Sequence, residues 1–182
     1  MPEEEMWQSF FKLGEVLRKL LLTETCRDVV DFGCGYGTFT IPAARIVRGQ
    51  VFAFDIEADM VEVTRRKAKA EGLRNVDVRL RDFAAEGTGL PRASVQYAML
   101  FNILHAEEPL VLLREARRVL EGGGLLAIMH WNCDPATPRG PSMSIRPRPE
   151  QCRAWAVEAG FKPMPSGKID LPPYHYGMVF RR

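Results

Sequence analysis

No apolar run in this chain approaches the roughly 18 residues that a membrane-spanning helix requires, so a transmembrane segment is not expected. Cysteine is sparse. Cys26, Cys34, Cys133 and Cys152 lie far apart, form no C-x-x-C pair and have no histidine at ligand spacing, so no zinc or other metal site and no disulfide framework is expected, and the thiols are read as reduced. An excess of one charge is also missing: 25 Lys plus Arg stand against 23 Asp plus Glu, which gives no reason to expect a nucleic-acid partner. The chain opens on acidic residues and lacks a basic stretch followed by an apolar one, so a secretory leader is not expected and the cytoplasm is the expected location. No internal repeat is evident. What remains is 182 residues, 46% hydrophobic, read as one domain over 1–182 with a sizeable core.

The most informative stretch that is present is VVDFGCGYGTFTIPAA, residues 29–44: an apolar strand, an acid at Asp31, glycines at 33, 35 and 37, then helix-compatible sequence. Alternate glycines allow positive φ and let a ligand approach main-chain atoms that a Cβ would shield, and a helix expected from about Thr38 would present unpaired N–H groups beside them. A dinucleotide fingerprint requires Gly-x-Gly-x-x-Gly or Ala; here Thr38 stands three residues after Gly35 and the third glycine comes one residue early.

Along the rest of the chain, strand and helix patterns alternate: strands at 29–32, 51–54, 76–80, 95–101 and 125–130, helices at about 38–47, 59–70 and 110–120, and a turn at Gly122-Gly123-Gly124. This rhythm predicts a parallel sheet with helices on both faces. Phe10, Phe11, Leu13, Val16, Leu17, Leu20 and Leu21 fall at helical spacing, which predicts an N-terminal helical flank or lid within 1–24. Residues 131–150 are rich in Pro and Arg, with Trp131, Met143 and Ile145 as apolar anchors, and are read as an ordered, substrate-facing loop. A helix over 151–159 and a pair of strands within 161–182 follow, with Pro172 to Tyr174 read as a turn.

Asp55 ends the second strand, where a carboxylate can accept both hydroxyl hydrogens of a ribose or, alternatively, cap the next helix, a task for which Asp59 is better placed. The ordered set of Gly-x-Gly-x-Gly, Asp55, Asp82-Phe83 and the run from Phe101 to His105 resembles the class I S-adenosylmethionine-dependent methyltransferases. The resemblance implies an α/β, three-layer Rossmann-like fold with a mostly parallel seven-stranded sheet and an antiparallel last strand. It also implies S-adenosylmethionine as cofactor and S-adenosylhomocysteine as product. Gly33 and Gly35 would contact the methionine end through backbone atoms, with Asp31 orienting that loop; Asp55 would hold the ribose, Asp82 and Phe83 the adenine, with Met60 along the adenine face or in the core, and Cys34, Gly37, Ile56, Phe101 and Asn102 complete the cofactor-binding set.

Asn102 to His105 is similar to the Asn-x-x-His run of small-molecule and quinone-type members, so His105 either lines the pocket or packs the following helix; His130 and His175 are further candidates, and no catalytic residue is assigned between His105 and His130. The signatures of amino and cytosine-C5 nucleic-acid methyltransferases are absent. Arg139, Arg146 and Arg148 would hold an anionic group on the acceptor, or else form a solvated basic loop. The expected function is methyl transfer to a small-molecule acceptor by proximity and in-line alignment, by a monomer or homodimer. The alternatives are an RNA methyltransferase, an NAD(P)-dependent oxidoreductase and a non-catalytic S-adenosylmethionine-binding module.

Overall fold

The computed structural model describes residues 12–137 and 140–182. Elements follow in the order α1 (Leu13–Lys19), β1 (Val29–Phe32), α2 (Thr40–Ile46), β2 (Val51–Asp55), α3 (Ala58–Ala70), β3 (Val76–Leu80), β4 (Val95–Phe101), α4 (Pro109–Val119), β5 (Leu120–Trp131), α5 (Pro149–Glu158), β6 (Lys162–Pro163), β7 (Ile169–Leu171) and β8 (His175–Arg181). No helix among the described residues is long and apolar enough to cross a membrane.

The strands form one sheet in the order β3-β2-β1-β4-β5-β8-β6, with β7 also paired to β8. Strands β1 to β5 are parallel, and β8 runs antiparallel to β5 from Leu125↔Arg181 to Trp131↔His175. The expected parallel sheet with an antiparallel last strand is therefore present. Its outer edge is shared by two short strands, β6 and β7, which brings the sheet to eight strands. Pro172 to Tyr174 form the turn between β7 and β8, as expected.

Central strands covered on both faces favour apolar side chains, and β1 and β4 show this at all positions but Asp31 and Gln96. Val30, Phe32, Ala98, Leu100, Leu126 and Ile128 face one layer, which holds α4 and α5. Val29, Tyr97, Met99, Phe101, Ala127 and Met129 face the other, which holds α1 and α2. The described part of the N-terminal flank, α1, lies against this second face through Val16, Leu17 and Leu20, and none of its residues reaches the cavity described below. Phe10 and Phe11, which belong to the same expected stripe, lie outside the described residues.

Most boundaries fall within two residues of the sequence reading, and two differences are structural. The helix expected from Thr38 begins at Thr40 and is one residue shorter at its end, so the whole stretch 33–39 is loop. The expected turn at Gly122-Gly123-Gly124 lies inside β5: Val95 pairs with Leu120 and Tyr97 with Leu125, so the glycines form a bulge opposite Gln96. Gly123 holds φ +82°, and a Cβ on Gly124 would come within 3.0 Å of the Glu121 carbonyl oxygen, so these two positions favour glycine.

A buried polar contact ties the flank to the sheet: the Tyr97 hydroxyl donates to the Leu20 carbonyl at 2.7 Å. Tyr97→Phe leaves that carbonyl unpaired and should cost about 1–3 kcal/mol, read from the urea midpoint at unchanged slope.

Candidate functional site

The order β3-β2-β1-β4-β5 reverses direction between β1 and β4, and a doubly wound sheet offers a crevice at that point, outside the carboxyl ends of its strands. A cavity of about 930 Å³ opens there. Its wall comes from the loop after β1, from Asp55, Ile56, Glu57 and Met60 around the end of β2, from Phe101, Asn102, Ile103 and His105 after β4, and from Trp131, Gly140 and Pro141 beyond β5.

The loop after β1 is held by its main chain. The amides of Gly33 and Cys34 both donate to the Phe54 carbonyl at 2.9 Å, the Gly35 amide donates to Asp55 Oδ2 at 2.8 Å, and Thr64 Oγ1 donates to the Gly35 carbonyl at 2.7 Å. Asp55 Oδ1 accepts from the Glu57 amide at 3.0 Å. Asp55 thus joins the end of β2 to the glycine loop and still stands on the cavity wall. A Cβ on Gly33 would come within 2.9 Å of the terminal Ile103 Cδ1 methyl, and the residue holds φ +76°, so its backbone favours glycine there. Gly37 does not line the cavity; a Cβ on it would meet Thr64 at 3.0 Å, which makes it a packing position between α2 and α3.

Asp31 is 3% exposed and accepts from Thr40 Oγ1 at 2.6 Å. Burial is the main cause that raises its pKa to about 7, opposed by the Thr40 hydrogen bond and reinforced by the charge of Asp55. Among the described residues no cation pairs with it. Burial also pushes the Cys34 thiol far above its ordinary range, which leaves it unreactive. Two further polar groups on the wall lack a partner among the described residues: Thr38 Oγ1 and both amide atoms of Asn102. Asn102 sits at φ +55° with its backbone amide donating to the Met129 carbonyl at 2.7 Å, so the left-handed turn that ends β4 aims a buried, unpaired amide at the cavity. A buried acid without a counter-cation beside unpaired donors and acceptors fits a ligand that carries both positive charge and hydrogen-bonding groups.

Beyond Asn102 the wall becomes aromatic. Phe39 and Phe101 meet edge to face with centroids 4.9 Å apart, and Trp131 and Ile103 continue the surface. No Lys or Arg stands on the wall among the described residues. His105 is half-buried on it, and burial lowers its pKa, so the ring is neutral at pH 7. His130 is fully buried, does not reach the cavity, and is pushed down to about 3 by burial, then by His105 and Arg146; its Nε2 lies 3.4 Å from His105 Nδ1. His175 is likewise buried and pushed down to about 3.

The expected cluster of arginines at the cavity mouth is placed differently. Arg146 is buried: Nε donates to the Pro141 carbonyl at 2.7 Å, Nη1 to the Asn132 carbonyl at 3.1 Å and to Thr137 Oγ1, and the guanidinium lies 5.6 Å from the Trp131 ring. It anchors the loop 132–148 from inside and does not face the cavity. Arg148 is exposed ahead of α5, its backbone amide capped by Gln151 Oε1 at 2.8 Å, and Arg139 lies outside the described residues. Asp82 and Phe83 also stand off the wall. Asp82 Oδ1 accepts from the amides of Ala84 and Ala85, and Phe83 packs edge to face on Phe32 in the core. Thr38, Phe39 and Trp131 were not singled out as wall residues in the sequence. Thr and Phe are unremarkable after a glycine loop, and Trp131 reads equally well as a loop anchor.

Fold and cavity together define an open α/β protein with a candidate ligand site at the strand-order reversal. Residues 29–124, more than half of the 182, match the family described as a methyltransferase domain, and the chain belongs to that family. It is 31% identical over 121 residues to the aklanonic acid methyltransferase DauC of Streptomyces sp. (strain C5), an alignment that takes in 65% of this chain and 54% of that protein. It is 34% identical over 111 residues to the ubiquinone biosynthesis O-methyltransferase of Xanthomonas oryzae pv. oryzae, covering 59% and 44%. The chain thus spans about half the length of these curated relatives. Among solved structures, a SAM-dependent methyltransferase from Aquifex aeolicus superposes with a TM-score of 0.85 at 24% identity, covering 98% of this chain and 93% of that one. The [4+2]-cyclase SpnF superposes at 0.78 with 18% identity over 93% and 79%, so this fold also carries chemistry of another class.

Two outcomes follow from the site's electrostatics and its loop. His130 and His175 titrate near 6.5 when unfolded but only near 3 in the fold, so the unfolded chain takes up more protons on acidification, and stability present above about pH 6.5 is lost as pH falls toward 3. Asp31 opposes this, because its raised pKa favours the fold below 3.8 and that contribution disappears as pH rises through 7. Asp31→Asn should therefore steepen the loss of urea stability between pH 7 and pH 4. Arg146→Ala should raise amide exchange across residues 132–145 by about tenfold or more while β1 and β4 keep their protection, measured by hydrogen-exchange mass spectrometry.

Proposed function

We propose that this chain is an S-adenosylmethionine-dependent methyltransferase acting on a small, predominantly apolar acceptor that bears a hydroxyl. The observation that carries the reading is Asp31: a buried acid with a pKa raised to about 7, no cation beside it among the described residues, at the start of the glycine loop. The cofactor supplies a methyl group on a positively charged sulfur, together with an ammonium that such an acid can balance. On this reading Asp31, the main chain of Gly33 and Gly35, and the unpaired Thr38 and Asn102 hold the amino-acid end. Asp55 takes the ribose hydroxyls through oxygens already fixed by the Gly35 and Glu57 amides. Ile56 and Met60 supply apolar contact for the base. Asp82 and Phe83, expected to serve the adenine, stand off this wall.

The acceptor would lie between Phe39, Phe101, Ile103 and Trp131, whose aromatic surface and lack of cationic neighbours favour an uncharged ring system over an anionic one. These side chains orient the acceptor and exclude water, which supplies most of the acceleration a pre-activated methyl group needs. His105, neutral and on the wall, receives the hydroxyl proton as the oxygen reacts. The names of the relatives, which include O-methyltransferases, support a hydroxyl acceptor, and the match to a methyltransferase domain speaks against the oxidoreductase alternative. The near-neutral charge and a wall without Lys or Arg among the described residues speak against RNA. Turnover separates this reading from a binding-only module. Four free thiols support the cytoplasm as the chain's location.

Calorimetric titration of the purified chain tests the cofactor. S-adenosylmethionine and S-adenosylhomocysteine should bind and NAD and NADP should not, and Asp55→Ala should weaken both by at least about tenfold. Because the ligand's positive charge lowers the raised pKa of Asp31, binding at pH 7 should release a fraction of a proton, seen as a dependence on buffer ionisation enthalpy, and Asp31→Asn should abolish that release. Binding of NAD or NADP alone would overturn the assignment.

A further inference from the structure

We infer that the recess between the ends of α4 and α5 binds a phosphate-bearing anion, at a site separate from the cavity described above. This site does not depend on the methyl-transfer reading.

The recess has a volume of about 300 Å³ and is lined by Arg92, Arg114, Arg117, Arg118 and Ala159. None of these residues lines the larger cavity, which opens beyond the carboxyl ends of the strands. Arg92 instead sits in the turn that leads into β4, and the other three arginines belong to the second half of α4. The length of α4, about 16 Å at the usual rise per residue, separates this end from the loop that carries His105. The recess therefore lies at the opposite edge of the sheet.

Four guanidiniums surround this space, and the carboxylates paired with them among the described residues are Glu115 and Glu158. Two positive charges are left in excess, as many as the whole chain carries at pH 7. The four are not equivalent. Arg118 is fully engaged: Nε and Nη2 donate to Glu115 at 2.7 and 2.8 Å, and Nη2 also reaches the Leu90 carbonyl at 2.8 Å. Arg117 makes one long contact, from Nε to the Gly160 carbonyl at 3.3 Å. Arg114 stands 3.9 Å from Glu158, and both side chains of that pair are more than half exposed, where an ion pair contributes little. The side chain of Arg92 is exposed and has no ion pair or hydrogen bond with any described residue. Three guanidiniums thus keep most of their donors for a ligand.

Basic side chains in the last turn of a helix are favoured by its dipole, which accounts for Arg117 and Arg118. It does not account for Arg92, which arrives from another segment. The backbone that delivers Arg92 is strained: Ala93 holds φ +54°, a left-handed conformation that alanine adopts at a cost. The Ala93 amide donates to the Arg118 carbonyl at 3.0 Å and the Ser94 amide to the Val119 carbonyl at 2.8 Å. These two bonds pin the turn to the end of α4 and bring both sources of arginine to one place. They also satisfy carbonyls that would otherwise repel an anion. The end of α5 is closed in the same way, by the amides of Gly160 and Phe161 on the carbonyls of Val157 and Ala156, both at 2.9 Å. Gly160 holds φ +92°, and a Cβ on it would come within 2.8 Å of Arg117 Nε, so bare backbone leaves the space that this guanidinium fills.

The class of ligand follows from the donors. Each guanidinium offers paired N–H groups matched to two oxygens of a phosphate or a carboxylate. Guanidiniums from two segments around one small space favour a tetrahedral group, which presents oxygens in several directions, over a planar carboxylate. The two negative charges of a phosphate ester also equal the local excess. A phosphomonoester or a diphosphate meets both conditions.

Calorimetric titration of the full chain with inorganic pyrophosphate, at pH 7 and fixed ionic strength, should show saturable one-to-one binding with a Kd of about 1 mM or tighter, weakening as salt is added. Arg92→Ala should weaken it about tenfold, and Arg92→Lys, which keeps the charge and loses the fork, should weaken it less. Arg66→Ala removes an exposed arginine on α3, outside the recess, and should leave binding unchanged. Because the Arg92 side chain is bonded to no described residue, the urea midpoints of its variants should match the native one. Absence of saturable binding up to about 10 mM overturns the inference, as does an equal loss in Arg66→Ala. Citrate bound as tightly as pyrophosphate overturns the choice of phosphate. A single-stranded RNA that displaces pyrophosphate and binds more tightly, with the same dependence on Arg92, makes the surface a nucleic-acid interface and overturns it too. The titration uses neither methyl donor nor acceptor, so failure of the methyl-transfer reading leaves this site standing.

Discussion

Three hydrogen bonds join the glycine loop to the end of the second strand, and the site has no shape without them. Gly33 and Cys34 share the Phe54 carbonyl, and Gly35 is bonded to the Asp55 carboxylate, so the chain leaving β1 bends toward β2 before α2 begins. That bend sets the depth of the cavity and brings Ile103 against Gly33. It also turns the Asp55 side chain into a structural tie with oxygens still available on the wall. Because the tie consists of main-chain amides and one carboxylate, it depends on backbone conformations that only glycine holds at low cost at Gly33. The family's glycine pattern is therefore a statement about how a loop is bonded to its neighbouring strand as much as about room for a ligand.

The cavity has two chemical ends, and the strand order separates them. Toward β1 and β2 the wall carries buried acids and unpaired polar atoms. Toward β4 and β5 it is aromatic and uncharged, with one neutral imidazole. The division follows the topology: strands on one side of the reversal deliver the loop and the acids, and strands on the other deliver Phe101, Asn102, His105 and Trp131. A charged ligand and an apolar one can sit end to end across such a seam, each matched to its own half.

Much of this was legible in the residues. Strands covered on both faces are predominantly apolar, and the runs at β1, β2 and β4 announced themselves for that reason. Asp31, Asp55 and Asn102 could be placed because each directly follows or ends such a run. The start of β5 escaped, since three glycines read as a turn until a neighbouring strand absorbs them as a bulge. The inward turn of Arg146 was also hidden. Arginine beside proline suggests a solvated loop, and only the packing of Trp131, Pro141 and Asn132 around it shows that the guanidinium serves as a buried clasp. The pairing of His105 with His130 depends on strand register, which no local pattern encodes.

The glycine bulge of β5 carries one more consequence. It lies at the opposite end of that strand from His130 and Trp131, and a side chain added at Gly122 would meet nothing within 4 Å. The amino edge of the sheet is thereby left as a neutral attachment point. A fluorophore, an affinity handle or a fused domain joined there would report on the protein or tether it while the ligand chemistry proceeds, undisturbed, a full strand length away.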